Sequence, residues 1–548
     1  MSTMKDDFVS HGTHVELTTS LSQKRADDEA FKARARDGNE IEHALSPLEA
    51  IKAYPMAIFW CLMVSMCVVM EGYDTILIAN FFAYPTFAKK YGQSVDANGH
   101  WQLSASWQAA VGRGSGIGAF FGVLLNGIIV NKFGQKRAVI GALISLSCTL
   151  FIVFFAPDIK ILLVGQILCG LPWGVFASSA PAYASEVLPL SLRVYMTSYT
   201  NMCFIMGQLI AAGVLAGLVN RTDEWGYRIP FALQWMWPVV LIPILCFAPE
   251  SPWHLVRQNR LEEAEASLRR LQRASAPIDP QKTLAVIMHT NALEEELSKG
   301  TRYQDCYKGN ELRRTEIACM TFMGQVLAGA PFAYTSTYFF QQVGMPTDMI
   351  YNMNVGATCM AFVGTLVSWF GIMPYFGRRK IYMSGAFTMS AILFIIGFLG
   401  TKGNVMAVGY TQSALCLVWT FIFQLSIGQL GWAIPAEVGS TRLRQKTICL
   451  ARNAYYIADV VGGVLQPYFM NPTEWNLKGY TGFIWGSTCF ILAMWTYFRL
   501  PETKGRTFDE LDVLFGKRIS ARKFASYKVD SFHHSIMLVL PSGEKVAA

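Results

Sequence analysis

Two acids set the chemistry of this chain. Glu71 and Asp74 stand three residues apart in Val69-Met-Glu-Gly-Tyr-Asp-Thr75, in the outer half of the first long apolar run, residues 54–79. Such a run is long enough to cross a bilayer as a helix. An ionised carboxylate in hydrocarbon costs at least about 2.5 kcal/mol, so acids persist there mostly where they meet a wet cavity or a partner. The spacing points both acids to one side of the helix. Desolvation and mutual repulsion both work against the doubly charged state, so the pair could take up and release a proton near neutral pH. The competing reading is a static, neutralised pair that only fixes helix packing.

Other chemistries find little support. The eight histidines (His11, His14, His43, His100, His254, His289, His533 and His534) all fall between or beyond the apolar runs, so a proton relay must use carboxylates. The 12 cysteines lie mostly inside apolar runs, Cys61, Cys67, Cys148, Cys169 and Cys203 among them, with no CxxC or CxxxC pair. Neither a disulfide framework nor a metal site follows. No nucleophile with a base and no cofactor loop is evident, so an enzyme is not expected and no cofactor is called for.

The elements that must position the acids are membrane spans. With 52% apolar residues and only 15% charged, the 548-residue chain reads as a polytopic membrane protein. Its net charge of +8 does not indicate nucleic acid, because the basic residues cluster between apolar runs on alternate sides, the positive-inside pattern. Twelve spans are expected, at about 54–79, 107–130, 139–156, 161–184, 198–219, 229–247, 316–340, 351–373, 381–400, 408–433, 447–470 and 481–500. This is an all-α membrane protein of two six-helix halves, 54–248 and 316–500. A polar N-terminal tail, 1–53, is expected to be mostly disordered. It has no early apolar stretch, so no cleaved signal peptide is expected and the first span serves as the targeting signal. Residues 249–315 carry about eleven Lys and Arg and are expected in the cytoplasm. Within them Leu261, Ala264, Leu268 and Leu271 recur at helical spacing, an amphipathic helix under the membrane domain. The C-terminal tail is 501–548, and an even number of spans puts both termini on the cytoplasmic side.

The halves echo each other. Gly134-Gln-Lys136-Arg137 is matched by Gly377-Arg378-Arg379-Lys380, Glu186 with Arg193 by Glu437 with Arg444, and Pro249-Glu-Ser251 by Pro501-Glu-Thr503, at offsets of about 250 residues. The architecture is therefore a duplicated six-helix unit whose parallel halves rock about a site at the bilayer midplane. The acidic and basic side chains at these helix ends could bond across the halves when the inside is closed and separate when it opens. Ordinary topogenic charge is the alternative reading.

These motifs resemble the sugar porter branch of the major facilitator superfamily, most closely the fungal α-glucoside (maltose-type) permeases. The likeness rests on Glu71-Gly-Tyr-Asp74, Gly170-Leu-Pro-Trp-Gly-Val-Phe176, Tyr183-Ala-Ser-Glu186 to Arg193, Arg228-Ile-Pro-Phe-Ala-Leu-Gln-Trp235, Pro249-Glu-Ser-Pro252, Leu450-Ala-Arg-Asn453, Pro467-Tyr468 and Pro501-Glu-Thr-Lys-Gly505. It covers about residues 50 to 515. It implies proton-driven sugar uptake through the plasma membrane by a monomer, with Asp74 as protonation site. Sugar-binding positions carried over by motif are Asn201, Gln208, Gln325 and Trp432, with Arg452 and Asn453 beside them. Amides both donate and accept, as hydroxyls do, and an indole offers a flat face to a pyranose ring.

The chain also departs from the pattern. Asn131 and Pro374 stand in the inner loops where the superfamily usually has Asp. Gln166 replaces the Arg that many proton-coupled sugar porters carry in the fourth span, and Arg113 stands where α-glucoside symporters often have an acid. Arg113 and Arg452 are then the candidate cations for Asp74; Arg113 is favoured because both side chains start at similar depth. The seventh span reads Gly324-Gln-Val-Leu-Ala-Gly-Ala330, whose small residues leave room for a disaccharide or larger. A non-transporting sugar sensor and a uniporter are the competing functions.

Overall fold

A computed structural model describes residues 33–34, 37, 41, 45–95, 101–273, 279–298, 302–342, 344–402, 406–440, 443–504, 506, 508–530, 535–539 and 545–547. Its long helices form wherever apolar runs exceed bilayer thickness, because in lipid a helix satisfies its own backbone. The spans are α1 (Pro55–Phe81), α2 (Ala105–Phe133), α3 (Gln135–Phe154), α4 (Ile159–Val187), α5 (Leu190–Leu218), α6 (Trp225–Cys246), α7 (Gly309–Tyr334), α8 (Thr347–Ile372), α9 (Arg378–Gly400), α10 (Met406–Val438), α11 (Arg444–Met470) and α12 (Thr481–Arg499). Among the described residues eleven are long and apolar enough to cross a membrane; α12 packs along α9 and completes the second half. The expected all-α, two-times-six architecture is borne out.

Three spans expected to be continuous are interrupted. In α6 the helix Trp225–Leu233 gives way to Met236–Cys246, and the break falls at Gln234. In α7 the helix ends after Leu327, and Gly329 takes φ 101°, a left-handed conformation that favours glycine. In α10 the break is at Ser426, with φ −127° and ψ −92°. Such interruptions survive at membrane depth only where they are buried in protein or line a cavity.

Close helix contact inside the first half depends on small residues. A Cβ on Gly72 would collide with the Phe204 carbonyl of α5, and one on Gly207 with the Val69 carbonyl of α1. Backbones therefore touch at the level of the acids. Gly207→Val is expected to force α1 and α5 apart at a cost of about 1–3 kcal/mol. The measurement is the thermal unfolding midpoint in detergent, which should fall by several degrees; an unchanged midpoint would contradict this packing.

Between the halves, helices Pro252–Arg257, Leu261–Leu271 and Pro280–Ser298 pack together, with Ala264, Leu268 and Leu271 buried. They are anchored to the first half where Ser267 Oγ donates to the Glu250 carbonyl (2.6 Å) and Arg270 to the Phe247 carbonyl (2.6 Å). At the other end, helix Phe508–Gly516 folds onto the start of α7. Arg314 pairs with Asp512 at 2.5 Å and lies 4.5 Å over the Phe515 ring. Strands Tyr527–Asp530, Ser535–Val539 and Lys545–Ala547 follow as an antiparallel sheet. The 501–548 tail is thus partly structured. Most of 1–53, expected to be disordered, lies outside the described residues, but its last turn, Pro47–Ala53, is a helix capped by Ser46 and Glu49.

Candidate functional site

Asp74 lies in the interior of the first half, only 2% exposed. Its Oδ1 accepts a 2.8 Å hydrogen bond from Gln234 Nε2, the residue at the break in α6. Gln166 and Trp173 of α4 face the same carboxyl. All three groups are neutral, and the hydrogen bond comes from Gln234, so Asp74 meets dipoles where the sequence reading placed a cation. That expectation is corrected for Arg113. The guanidinium of Arg113 points from α2 into the other half, where its Nη1 donates to Asp459 Oδ1 and Oδ2 of α11 at 2.7 and 2.8 Å. Equal depth along two neighbouring helices did not make Arg113 and Asp74 partners, because their helix faces differ.

Glu71, one turn away, has a different neighbour. It is only partly buried and lies within electrostatic reach of Arg452 of α11 and of Asp74. The two acids stand on adjacent parts of one helix face and still meet different neighbours, Asp74 those of α4 and α6 and Glu71 a cation of the opposing half. Arg452 in turn is surrounded by rings. Its guanidinium lies 4.1 Å over Trp432, 5.5 Å from Phe322, 5.6 Å from Tyr455 and 5.4 Å from Tyr456. A flat cation on an indole face is stabilised by the ring quadrupole, more so away from water. One face of Trp432 is thus occupied by Arg452, and its ring packs edge-to-face with Phe322 at 5.5 Å.

The polar candidates for ligand contact separate into two groups. Gln325 is tied into its own half, donating to the Gly428 carbonyl at 3.4 Å beside Gly431, where a Cβ would overlap its amide. Asn201 Nδ2 of α5 and Gln429 Nε2 of α10 are buried with no protein hydrogen-bond partner, and Gln208 Nε2 of α5 is buried facing Tyr334. Buried amide donors without partners are costly unless water or a ligand meets them. Gln429 escaped the sequence reading, although it stands three residues before Trp432 and so shares its helix side. Asn453 adjoins Arg452 and is partly exposed. Tyr334, at the end of α7, faces both Gln208 and the Arg113–Asp459 pair.

The path between the halves is closed at the face opposite the termini. Thr337 Oγ1 donates to Asn80 Oδ1 (2.6 Å), Tyr351 OH to the Asn80 carbonyl (2.9 Å), Tyr338 OH to Gln102 Oε1 (2.9 Å) and Asn471 Nδ2 to the Leu103 carbonyl (3.0 Å). Each bond joins the first half to the second. Tyr84 and Tyr351 add an edge-to-face contact at 5.4 Å.

At the terminal face the duplicated motifs make duplicated contacts, each within its own half. Glu186 accepts from Ser251 Oγ (2.6 Å) and Arg257 (3.4 Å); Glu437 accepts from Thr503 Oγ1 (2.6 Å) and Arg378 (3.4 Å). Glu250 accepts from the Lys136 backbone amide (3.2 Å) and Glu502 from that of Arg378 (2.7 Å). Lys136 Nζ donates to the Cys246 carbonyl (2.7 Å) and Arg379 to the Tyr497 carbonyl (2.8 Å). Arg137 is exposed. The side chains of Arg193 and Arg444, expected as partners of the two glutamates, lie outside the described residues.

The model of the family described as sugar (and other) transporter matches residues 60–515. Among similar proteins of Saccharomyces cerevisiae, maltose permease MAL31 is 39% identical over 517 residues, 92% of this chain and 83% of the relative. Alpha-glucosides permease MPH3 is 38% identical over 511 residues, 91% and 84% of the two chains, and a general alpha-glucoside permease is 37% identical over 543 residues, 96% and 88%. Among solved structures, the Escherichia coli xylose transporter XylE in a partially occluded inward open conformation superposes with a TM-score of 0.68 at 19% identity, covering 83% of this chain and all of that one. The proton:xylose symporter XylE bound to 6-bromo-6-deoxy-D-glucose gives a TM-score of 0.69 at 21% identity, covering 84% and 99%. At this identity these two establish the fold alone.

Proposed function

Since the chain belongs to the sugar transporter family, we propose that it imports an α-glucoside disaccharide of the maltose type together with a proton, by alternating access across the plasma membrane. The observation that carries this reading is the arrangement around α1. A carboxyl bonded by a neutral amide stands one turn from a second carboxyl within reach of a cation of the other half, on a helix packed against α5, which carries the Asn201 and Gln208 amides. A proton on either acid and a sugar between the halves then act on the same helix.

The roles follow from position. Asp74 takes the proton, and Glu71 communicates its charge to Arg452. Trp432 offers the free part of its indole to a sugar ring, while Asn201, Gln208 and Gln429 hydrogen-bond hydroxyls, with Gln325 and Asn453 flanking. Glu186, Arg193, Glu437, Arg444, Lys136, Arg137, Arg378 and Arg379 belong to the inner gate, and both termini and the 249–315 segment lie in the cytoplasm. In that orientation the Asn80 seal closes the outside. The working unit is one chain, with six-helix halves at 54–248 and 316–500.

The test is a competition panel of glucose, maltose, trehalose, sucrose, cellobiose and lactose against labelled maltose in intact cells, with external pH recorded. Maltose-type glucosides are expected to compete and to drive an immediate alkalinisation. Uptake without alkalinisation would leave a uniporter, the reading that Gln166 in place of a cation favours. Binding without flux in proteoliposomes would leave a sensor. Trp432→Ala is expected to raise the KM for sugar about tenfold, equivalent to about 1.4 kcal/mol for a lost stacking face. A KM within twofold of the parent would remove Trp432 from the sugar site.

A further inference from the structure

The ion pair Arg113–Asp459 has no place in the scheme above, yet it joins the two halves below the outer seal, at about the depth of the coupling acids. Arg113 is the ninth residue of α2, about 12 Å from its outer end, and Asp459 lies about 16 Å below the outer end of α11. The single Nη1 of Arg113 reaches both carboxylate oxygens, and the side chains are 18% and 19% exposed. The site is shaped for the guanidinium: a Cβ at Gly463, one turn from Asp459, would overlap Arg113 Nε. Tyr334 faces both members.

We propose that Arg113 and Asp459 form a state-dependent clasp that holds α2 against α11 while the outside is closed and parts when the outside opens. Both are positioning residues for the transport cycle, acting on the equilibrium between the two facing states. The argument is one of differential interaction: a bonded pair stabilises only the state in which its members meet. When α2 and α11 separate on the outer side, each charge meets water in the vestibule and its solvation replaces the pair. In the closed state the same charges, if unpaired, would be left part-buried, which is costly. Removing one member therefore destabilises the outside-closed state more than the outside-open one, and the resting population moves outward. The polar seal at Asn80 cannot supply this dependence on charge, since its members are neutral.

This inference rests on the alternating-access reading above but its test does not require sugar flux. Gly116 is three residues deeper on α2, and a Cβ there would lie 3.9 Å from Asp459 Oδ2 with open space around it. Gly116→Cys is therefore a reporter that a membrane-impermeant maleimide reaches from outside only when α2 and α11 part. The rate of labelling in intact cells is measured on the full chain, corrected by the parent without the reporter and normalised to labelling in permeabilised cells. Added to the reporter, Asp459→Asn and Arg113→Gln are each expected to raise the external rate at least about fivefold. Arg113→Lys, which keeps the charge, is expected to stay near the reporter alone. Gly463→Ala, which displaces the guanidinium without touching either charge, should raise the rate like the neutral variants. Unchanged external rates in Asp459→Asn and Arg113→Gln would overturn the clasp, and so would Arg113→Lys labelling as fast as Arg113→Gln. A protein that labels as expected and carries no sugar would instead count against the transport reading alone.

Discussion

Asp74→Asn is expected to retain exchange of labelled sugar across the membrane and to lose accumulation against a gradient. Asparagine keeps the size of the side chain and can still meet Gln234 Nε2, so the packing of α1 against α4 and α6 should survive. What it cannot do is alternate between a charged and a neutral form. One proton crossing about 100 mV supplies about 2.3 kcal/mol, and one pH unit adds about 1.4, together enough for several hundredfold accumulation. With the proton uncoupled, the ratio of internal to external sugar should fall to about one. The measurement is steady-state accumulation of labelled maltose in energised cells beside counterflow in de-energised ones. Accumulation by the variant well above unity would remove Asp74 from the coupling step, and loss of counterflow as well would show that Asn does not preserve the path.

Arg452→Lys tests the second link, between Glu71 and the sugar face. Lysine retains the charge that Glu71 meets, but its ammonium is a compact, strongly hydrated group without the planar stacking surface of guanidinium. Arg452 lies 4.1 Å over Trp432 with three further rings within 5.6 Å, so the substitution removes a part-buried cation–π contact of about 2 kcal/mol. Trp432 would lose the group that orients its indole. Transport kcat/KM is expected to fall about thirtyfold, with counterflow falling in parallel because the defect lies in the site. A variant within about threefold of the parent would mean that charge alone matters at this position.

Much of this molecule is legible along the chain. Hydropathy marks the spans because a bilayer accepts only helices of sufficient apolar length, and that property is local. The duplicated Gly-Lys-Arg, Glu and Pro-Glu motifs announce a repeated half, and their contacts at Glu186 and Glu437 repeat in the structure. Asp74 stands out by type alone, as an acid where hydrocarbon is expected. The breaks at Gln234, Gly329 and Ser426 were not legible, since each lies inside a run long enough to be read as one span.

The partners of the charges were decided by tertiary structure. Arg113 and Asp459 are 346 residues apart in sequence, and their meeting depends on how two separately folded halves are set against each other. No periodicity within either helix encodes that. Asp459 is likewise an acid inside an expected span, yet nothing along α11 names its partner, and Arg452 gives no sign that it lies on Trp432. The sequence alone determined a duplicated helical membrane protein with a titratable acid in its first span. Only the packed fold determined which neighbour each charge faces, because an ion pair or a stacked cation is a relation between surfaces that residue type and spacing along one helix do not contain.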